Sequence, residues 1–183
     1  NTCAAVDCPA NSNGADVPAG CACNSGFSGS VTATTASPFF ESTCTAVACP
    51  DHSDGADVVA GCSCNSGYRG EVIAVTVSPF FNNTCAAVDC PANSNGDHVA
   101  VGCECNAGFS GFVEDTTVSP FHSGSCTAVT CPVHSNGSDV VTGCVCDSGY
   151  SGDVLATSID PFYNTTCVEV ECPLNSAGEH VAH

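Results

Sequence analysis

The sequence predicts an all-β, small, disulfide-rich fold laid out as a tandem array. Three observations carry this: a string that returns at a fixed period, a high cysteine density, and runs of β-formers punctuated by turn residues. The string is Gly20-Cys21-Ala22-Cys23-Asn24-Ser25-Gly26-Phe27-Ser28-Gly29, and G-C-x-C-[ND]-x-G-[FY]-x-G starts again at Gly61, Gly102 and Gly143, 41 residues on each time. Two cysteines one residue apart are expected to point in different directions, so that each staples a separate loop and the string acts as a hinge. Gly26 and Gly29, with their copies, suit a tight turn at positive φ that holds one aromatic ring: Phe27, Tyr68, Phe109 or Tyr150.

A repeat of 41 residues with three aromatic positions, Phe27, Phe39 and Phe40 in the first copy, buries too little apolar area to offset its own chain entropy. Covalent closure has to help. Eighteen cysteines in 183 residues mark a disulfide scaffold made in an oxidising compartment, so an extracellular, secreted or cell-surface location is expected. Nineteen Asp and Glu face a single cation, Arg69, for a formal net charge of −18. That excludes a nucleic-acid partner, whose phosphates need a basic face, and disfavours anionic membrane surfaces. The sequence holds no apolar run long enough to span a membrane and does not open on a signal peptide, which leads to the expectation that it starts after processing or is a window on a longer chain.

Taken in order, the cysteines of a repeat are a, b, c and d, spaced C-x4-C-x12-C-x-C-x20. The sets are Cys3, Cys8, Cys21, Cys23; Cys44, Cys49, Cys62, Cys64; Cys85, Cys90, Cys103, Cys105; Cys126, Cys131, Cys144, Cys146; and the half set Cys167, Cys172. Between b and c, the dipeptides Asn13-Gly14, Asp54-Gly55, Asn95-Gly96 and Asn136-Gly137 predict the tight turn of a short hairpin. After the string, Val31–Ala36 and Val72–Val77 read as strands of about six residues that end at Ser37-Pro38-Phe39-Phe40 and its copies, because proline cannot donate to a ladder. No segment reads as a helix.

The string C-x-C-[ND]-x-G-[FY]-x-G resembles the second half of an epidermal growth factor-like (EGF-like) module, and the resemblance covers all four complete repeats. It departs from the six-cysteine module in having four cysteines per repeat and a 20-residue stretch before the closing one. The resemblance implies that c closes onto b and d onto the next a. That gives Cys8 with Cys21, Cys23 with Cys44, Cys49 with Cys62, Cys64 with Cys85, Cys90 with Cys103, Cys105 with Cys126, Cys131 with Cys144 and Cys146 with Cys167. Cys3 and Cys172 are then unpaired within the chain, which strengthens the expectation of a longer parent array. The implied modules are residues 8–48, 49–89, 90–130 and 131–171, with 1–7 the end of a preceding module and 172–183 the start of a fifth. The acidic, Thr/Ser-rich repeats are also similar to those of extracellular filament, flagellar-hair (mastigoneme-like) and surface proteins of protists and algae.

Candidate chemistry is sparse. The histidines His52, His98, His122, His134, His180 and His183 lie near cysteines, but they keep no register, and C-x-C with long gaps is a poor zinc pattern beside a disulfide framework. Asn11, Asn13 and Asp16, or Asp51, Asp54 and Asp57, put oxygens around a glycine, but no glutamate stands where calcium needs its bidentate ligand, so exposed Asx turns are the plainer reading. No cofactor is expected beyond diffuse or weak Ca2+ held by the acidic surface. No enzyme is expected either, since a nucleophilic cysteine has to be a free thiolate and Ser25-Gly26-Phe27-Ser28-Gly29 lacks the strand-to-helix context of a nucleophile elbow. N-x-[ST] sequons stand at Asn82, Asn136 and Asn164, with the rarer N-x-C at Asn1 and Asn83; Asn82 and Asn164 share one register two repeats apart.

These observations lead to an elongated rod of disulfide-stapled modules, serving as a structural repeat protein of an extracellular filament, appendage or cell-surface coat. Its expected partners are copies of itself and covalent glycans. The alternative is a stalk or adhesin that binds a protein or glycan ligand, for which one divergent, sticky module would be the signature.

Overall fold

The computed structural model describes residues 4–178 and Val181. Cys3, Asn1 and His183, about which the sequence raised expectations, lie outside the described residues, as does His180. The described chain is all β, with short antiparallel two-stranded sheets and eight disulfides, and it divides into two units, 1–87 and 88–183.

The first unit begins with β1 (Ser12–Gly14) and β2 (Cys21–Cys23), paired so that Ser12 faces Cys23 and Gly14 faces Cys21. β3 (Phe27–Ser28) and β4 (Val31–Ala33) follow, then β5 (Phe40–Ser42) and β6 (Thr45–Ala46). β5 folds back on β4, and β6 on β3. The second repeat runs the same course through β7 (Ser53–Asp54), β8 (Ser63–Cys64), β9 (Tyr68–Arg69), β10 (Val72–Ala74), β11 (Phe81–Asn83) and β12 (Ala86–Ala87). Each repeat therefore holds a small hairpin between b and c and a longer one between d and the next a.

The second unit opens with β13 (Ser94–Asn95) and β14 (Glu104–Cys105). Its long hairpin is continuous, β15 (Phe109–Asp115) against β16 (His122–Ala128), where the other repeats break into two short pairs. Phe112 stands where the first repeat has Ser30, and Gly124 where it has Ser42. A Cβ on Gly124 would come within 2.8 Å of the Phe112 ring, so the glycine lets that ring lie across the partner strand without a break. The unit continues with β17 (Ser135–Asn136), β18 (Val145–Cys146), β19 (Tyr150–Ser151), β20 (Val154–Ala156), β21 (Tyr163–Thr165) and β22 (Val168–Glu169).

The core is one valine per repeat. Val17, Val58, Val99 and Val140 are buried, as are Cys44 and Cys126, and among the described residues no side chain is sealed from solvent completely. Each of these valines donates its amide to the valine eleven residues before it, at 2.8 Å for Val17 to Val6, Val58 to Val47, Val99 to Val88 and Val140 to Val129. That bond lays the b–c loop onto the segment between a and b. With so little apolar burial, the covalent bridges Cys8–Cys21 and Cys23–Cys44, and their copies at the same sequence separations of 13 and 21, set the frame.

Three expectations are corrected. Cys21 and Cys23 share a strand, and positions two apart on a strand face the same way; both are half-buried while Ala22 between them is exposed. They still staple different loops, because their partners Cys8 and Cys44 come from different segments. The Asn-Gly dipeptides do not turn the chain: Asn13 and Gly14 lie in β1 and Asn136 lies in β17, and the turn comes later, at residues 15–20. There the Asp16 carboxylate accepts the Ala19 amide at 2.8 Å and the Asp16 carbonyl accepts the Gly20 amide at 3.0 Å, a local cap that outcompetes the dipeptide. The predicted six-residue strands are three residues long in β4 and β10, since the Thr34 hydroxyl bonds the Ala36 carbonyl and starts the turn before the Ser37-Pro38 pair is reached.

Candidate functional site

Two recurring places in the fold carry more than scaffold geometry. One is the joint where the Gly-aromatic turn of a repeat meets the next repeat within a unit. The turn is closed by the Phe27 amide on the Asn24 carbonyl at 3.0 Å, and Gly26 takes φ 78°. The Gly26 amide then donates to the Val75 carbonyl of the second repeat at 3.0 Å, and its carbonyl accepts the Val47 amide at 2.9 Å. A Cβ on Gly26 would fall 2.8 Å from Val59 and 3.1 Å from Ala74. The joint recurs in the second unit: Gly108 donates to Thr157 at 2.9 Å, with Val141 and Ala156 at 2.8 and 3.1 Å from a Cβ there. In the first repeat the residues in register with this socket, Val17, Pro18, Ala33 and Thr34, line an open hollow of about 460 Å³ together with Val6 and Phe39.

Beside the joint, repeats alternate. His52 and His134 take φ 63° and stack on Tyr68 and Tyr150, with ring centroids 4.4 and 4.3 Å apart. In the first and third repeats Asn11 and Asn93 hold the same left-handed position, and the aromatic residues are Phe27 and Phe109. At two periods His52 recurs as His134 and His98 as His180, while His122 and His183 answer to Phe40 and Val101; Cys3–Gly14 and Cys85–Gly96 are identical.

The second place is the outer face of the hairpins, where the sequons lie. Asn82 is exposed in β11, Asn164 in β21 and Asn136 in β17. Asn83 instead turns inward: its Nδ2 donates to the Asp51 carbonyl at 3.0 Å and its Oδ1 accepts the Cys85 amide at 2.9 Å. Thr84 and Thr166, the last residues of two sequons, cross-link their hairpins; the Thr84 hydroxyl accepts the Glu71 amide at 2.9 Å and the Thr166 hydroxyl accepts that of Asp153 at 2.9 Å. Thr43 does the same for Ser30 at 3.0 Å in a repeat without a sequon, so the threonine has a structural task of its own.

Of the oxygens considered for calcium, those of Asp16, Asp54 and Asp57 accept nearby backbone amides. Asp57 accepts the Val59 and Ala60 amides at 2.9 and 2.8 Å, and Asp139 accepts the Thr142 amide at 2.7 Å. That last bond, foremost, holds the Asp139 carboxyl below its usual value. Desolvation, followed by the neighbouring Glu169 carboxylate 3.2 Å from its hydroxyl, raises the Tyr150 phenol. Among the described residues no three His, Cys, Asp or Glu side chains are grouped to hold a metal ion, and Cys172 is the free thiol. Among the described residues no helix is long and apolar enough to cross a membrane.

No family model, no curated protein and no solved structure matches the chain. Its own geometry therefore carries the assignment: an all-β, disulfide-stapled, tandem-repeat protein.

Proposed function

We propose that the chain is a non-catalytic structural repeat protein of an extracellular filament, appendage or cell-surface coat, built from EGF-like modules stacked into a stiff, elongated array. The observation that carries this reading is the joint: the same glycine amide to carbonyl bond, Gly26 to Val75 and Gly108 to Thr157, fixes one repeat on the next in each unit with no linker residues between them. Identical joints transmit a fixed rise and rotation from repeat to repeat, which is what a filament subunit needs. The density of bridges supports a protein made for an oxidising exterior, and the exposed sequons support covalent glycans on its surface.

Negative-stain imaging of native material kept oxidised tests this. Regular filaments carrying the chain support the structural role; isolated, flexible stalks attached at one end would replace it with an adhesive one.

A further inference from the structure

Across each hairpin, the residue opposite a sequon asparagine is an exposed apolar one. Asn82 pairs with Ile73, Asn164 with Leu155 and Asn136 with Val145. These partners are 46%, 62% and 74% exposed, on the same outer face as the asparagine. Where the register holds no sequon, the partner is polar or small: Thr32 faces Glu41, Glu114 faces Ser123, Ala22 faces Asn13, Ser63 faces Asp54 and Glu104 faces Asn95. Single exposed apolar residues are ordinary, and Val77, Val118 and Ile159 stand exposed in turns. The pairing is what needs a cause.

We infer that Asn82, Asn136 and Asn164 carry N-linked glycans whose first sugar lies over the cross-strand partner, Ile73, Val145 or Leu155, and shields it. This rests on the reading of the chain as a secreted glycoprotein and adds what the sugar does there. Attachment joins asparagine Nδ2 to the anomeric carbon of a lipid-linked diphosphate oligosaccharide; the amide gives up one proton and the lipid diphosphate leaves. Directly opposed residues on a ladder hold their Cβ atoms about 5 Å apart, within reach of a sugar ring whose C–H face is apolar. The glycan thus completes a cross-strand pair that the polypeptide leaves half-made.

The test secretes the full chain from a host that attaches N-linked glycans and maps occupancy by mass spectrometry. Amide hydrogen exchange of the three hairpins is then compared with and without each glycan, the latter as Asn82→Gln, Asn136→Gln and Asn164→Gln. The same comparison is repeated in Ile73→Thr, Val145→Ser and Leu155→Thr, which copy the polar partners of other repeats. Covering half of an exposed aliphatic side chain slows local exchange about fivefold, and that glycan effect should vanish in the polar-partner background. An equal glycan effect in both backgrounds overturns the shielding while leaving the glycans in place; bare asparagines overturn shielding and attachment together.

Discussion

The amide of Gly26 donates to the carbonyl of Val75, 3.0 Å away in the next repeat, and a side chain at Gly26 would run into Val59 and Ala74. The nearest atom to a Cβ there is Val59 Cγ2 at 2.8 Å, and φ is already 78°. Steric room and left-handed backbone are demanded at one position, and the same holds at Gly108.

Gly26→Ala and Gly108→Ala are therefore expected to loosen the joint by about 1–3 kcal/mol, the range for a non-glycine residue held in the left-handed region against a contact. Gly20→Ala is the control, since Gly20 has φ 107° and nothing within 4 Å, leaving backbone strain alone. Amide exchange at Val47 and at Gly26 or its replacement reads the difference. Equal effects at positions 20 and 26 would remove the packing part of the account.

Thr43→Val removes a hydroxyl that accepts the Ser30 amide at 3.0 Å and donates back to the Ser30 carbonyl at 3.3 Å, in a repeat free of sequons. A cost of about 1 kcal/mol is expected, seen as faster exchange in β4 and β5 with the disulfides intact.

The Asp139 carboxyl titrates below its ordinary value of 3.8, chiefly through the Thr142 amide bond. A lowered folded value means the turn's stabilisation is complete above the unfolded value and is lost as pH falls through the folded one. Asp139→Ala should speed exchange of the Thr142 amide at pH 7 by a few-fold, and the gap from the parent should close as pH falls through the lowered folded value. A gap that persists in strong acid would show that the carboxylate is not the cap.

The sequence made the period, the all-β class and the dependence on disulfides legible, because invariant spacing and absent core formers are properties of the string itself. The joint was not legible: Gly26, Val59, Ala74 and Val75 are far apart in the chain and meet only after two hairpins have closed. Asn13-Gly14 misled because a dipeptide preference of modest size competes with the Asp16 cap two residues on, and the cap wins. The alternation of Asn11 and Phe27 with His52 and Tyr68 was present in the letters, at a period of two repeats rather than one. Pairing of sequon asparagines with Ile73, Val145 and Leu155 needed the register, which the misplaced turn and overlong strands concealed.

Reduction should unfold each unit. A bridge closing a loop at a sequence separation of 13 or 21 contributes about 3 kcal/mol by restricting the unfolded chain, and one buried valine per repeat cannot replace it. Far-ultraviolet circular dichroism before and after a reductant follows the loss; a reduced chain that keeps its strand signal would show that the core suffices.

The most direct measurement is a non-reducing digest with a glutamate-specific protease. Glu104 stands between Cys103 and Cys105, so cleavage there and at Glu114 frees the peptide 105–114 with one cysteine. With Cys105 bonded to Cys126 and Cys90 to Cys103, that peptide travels with 115–169 and is released from it by reduction. If it is instead found attached to 72–104 through Cys90, the loops interleave, and the stapled repeat on which the joint, the hairpins and the filament reading all depend is wrong.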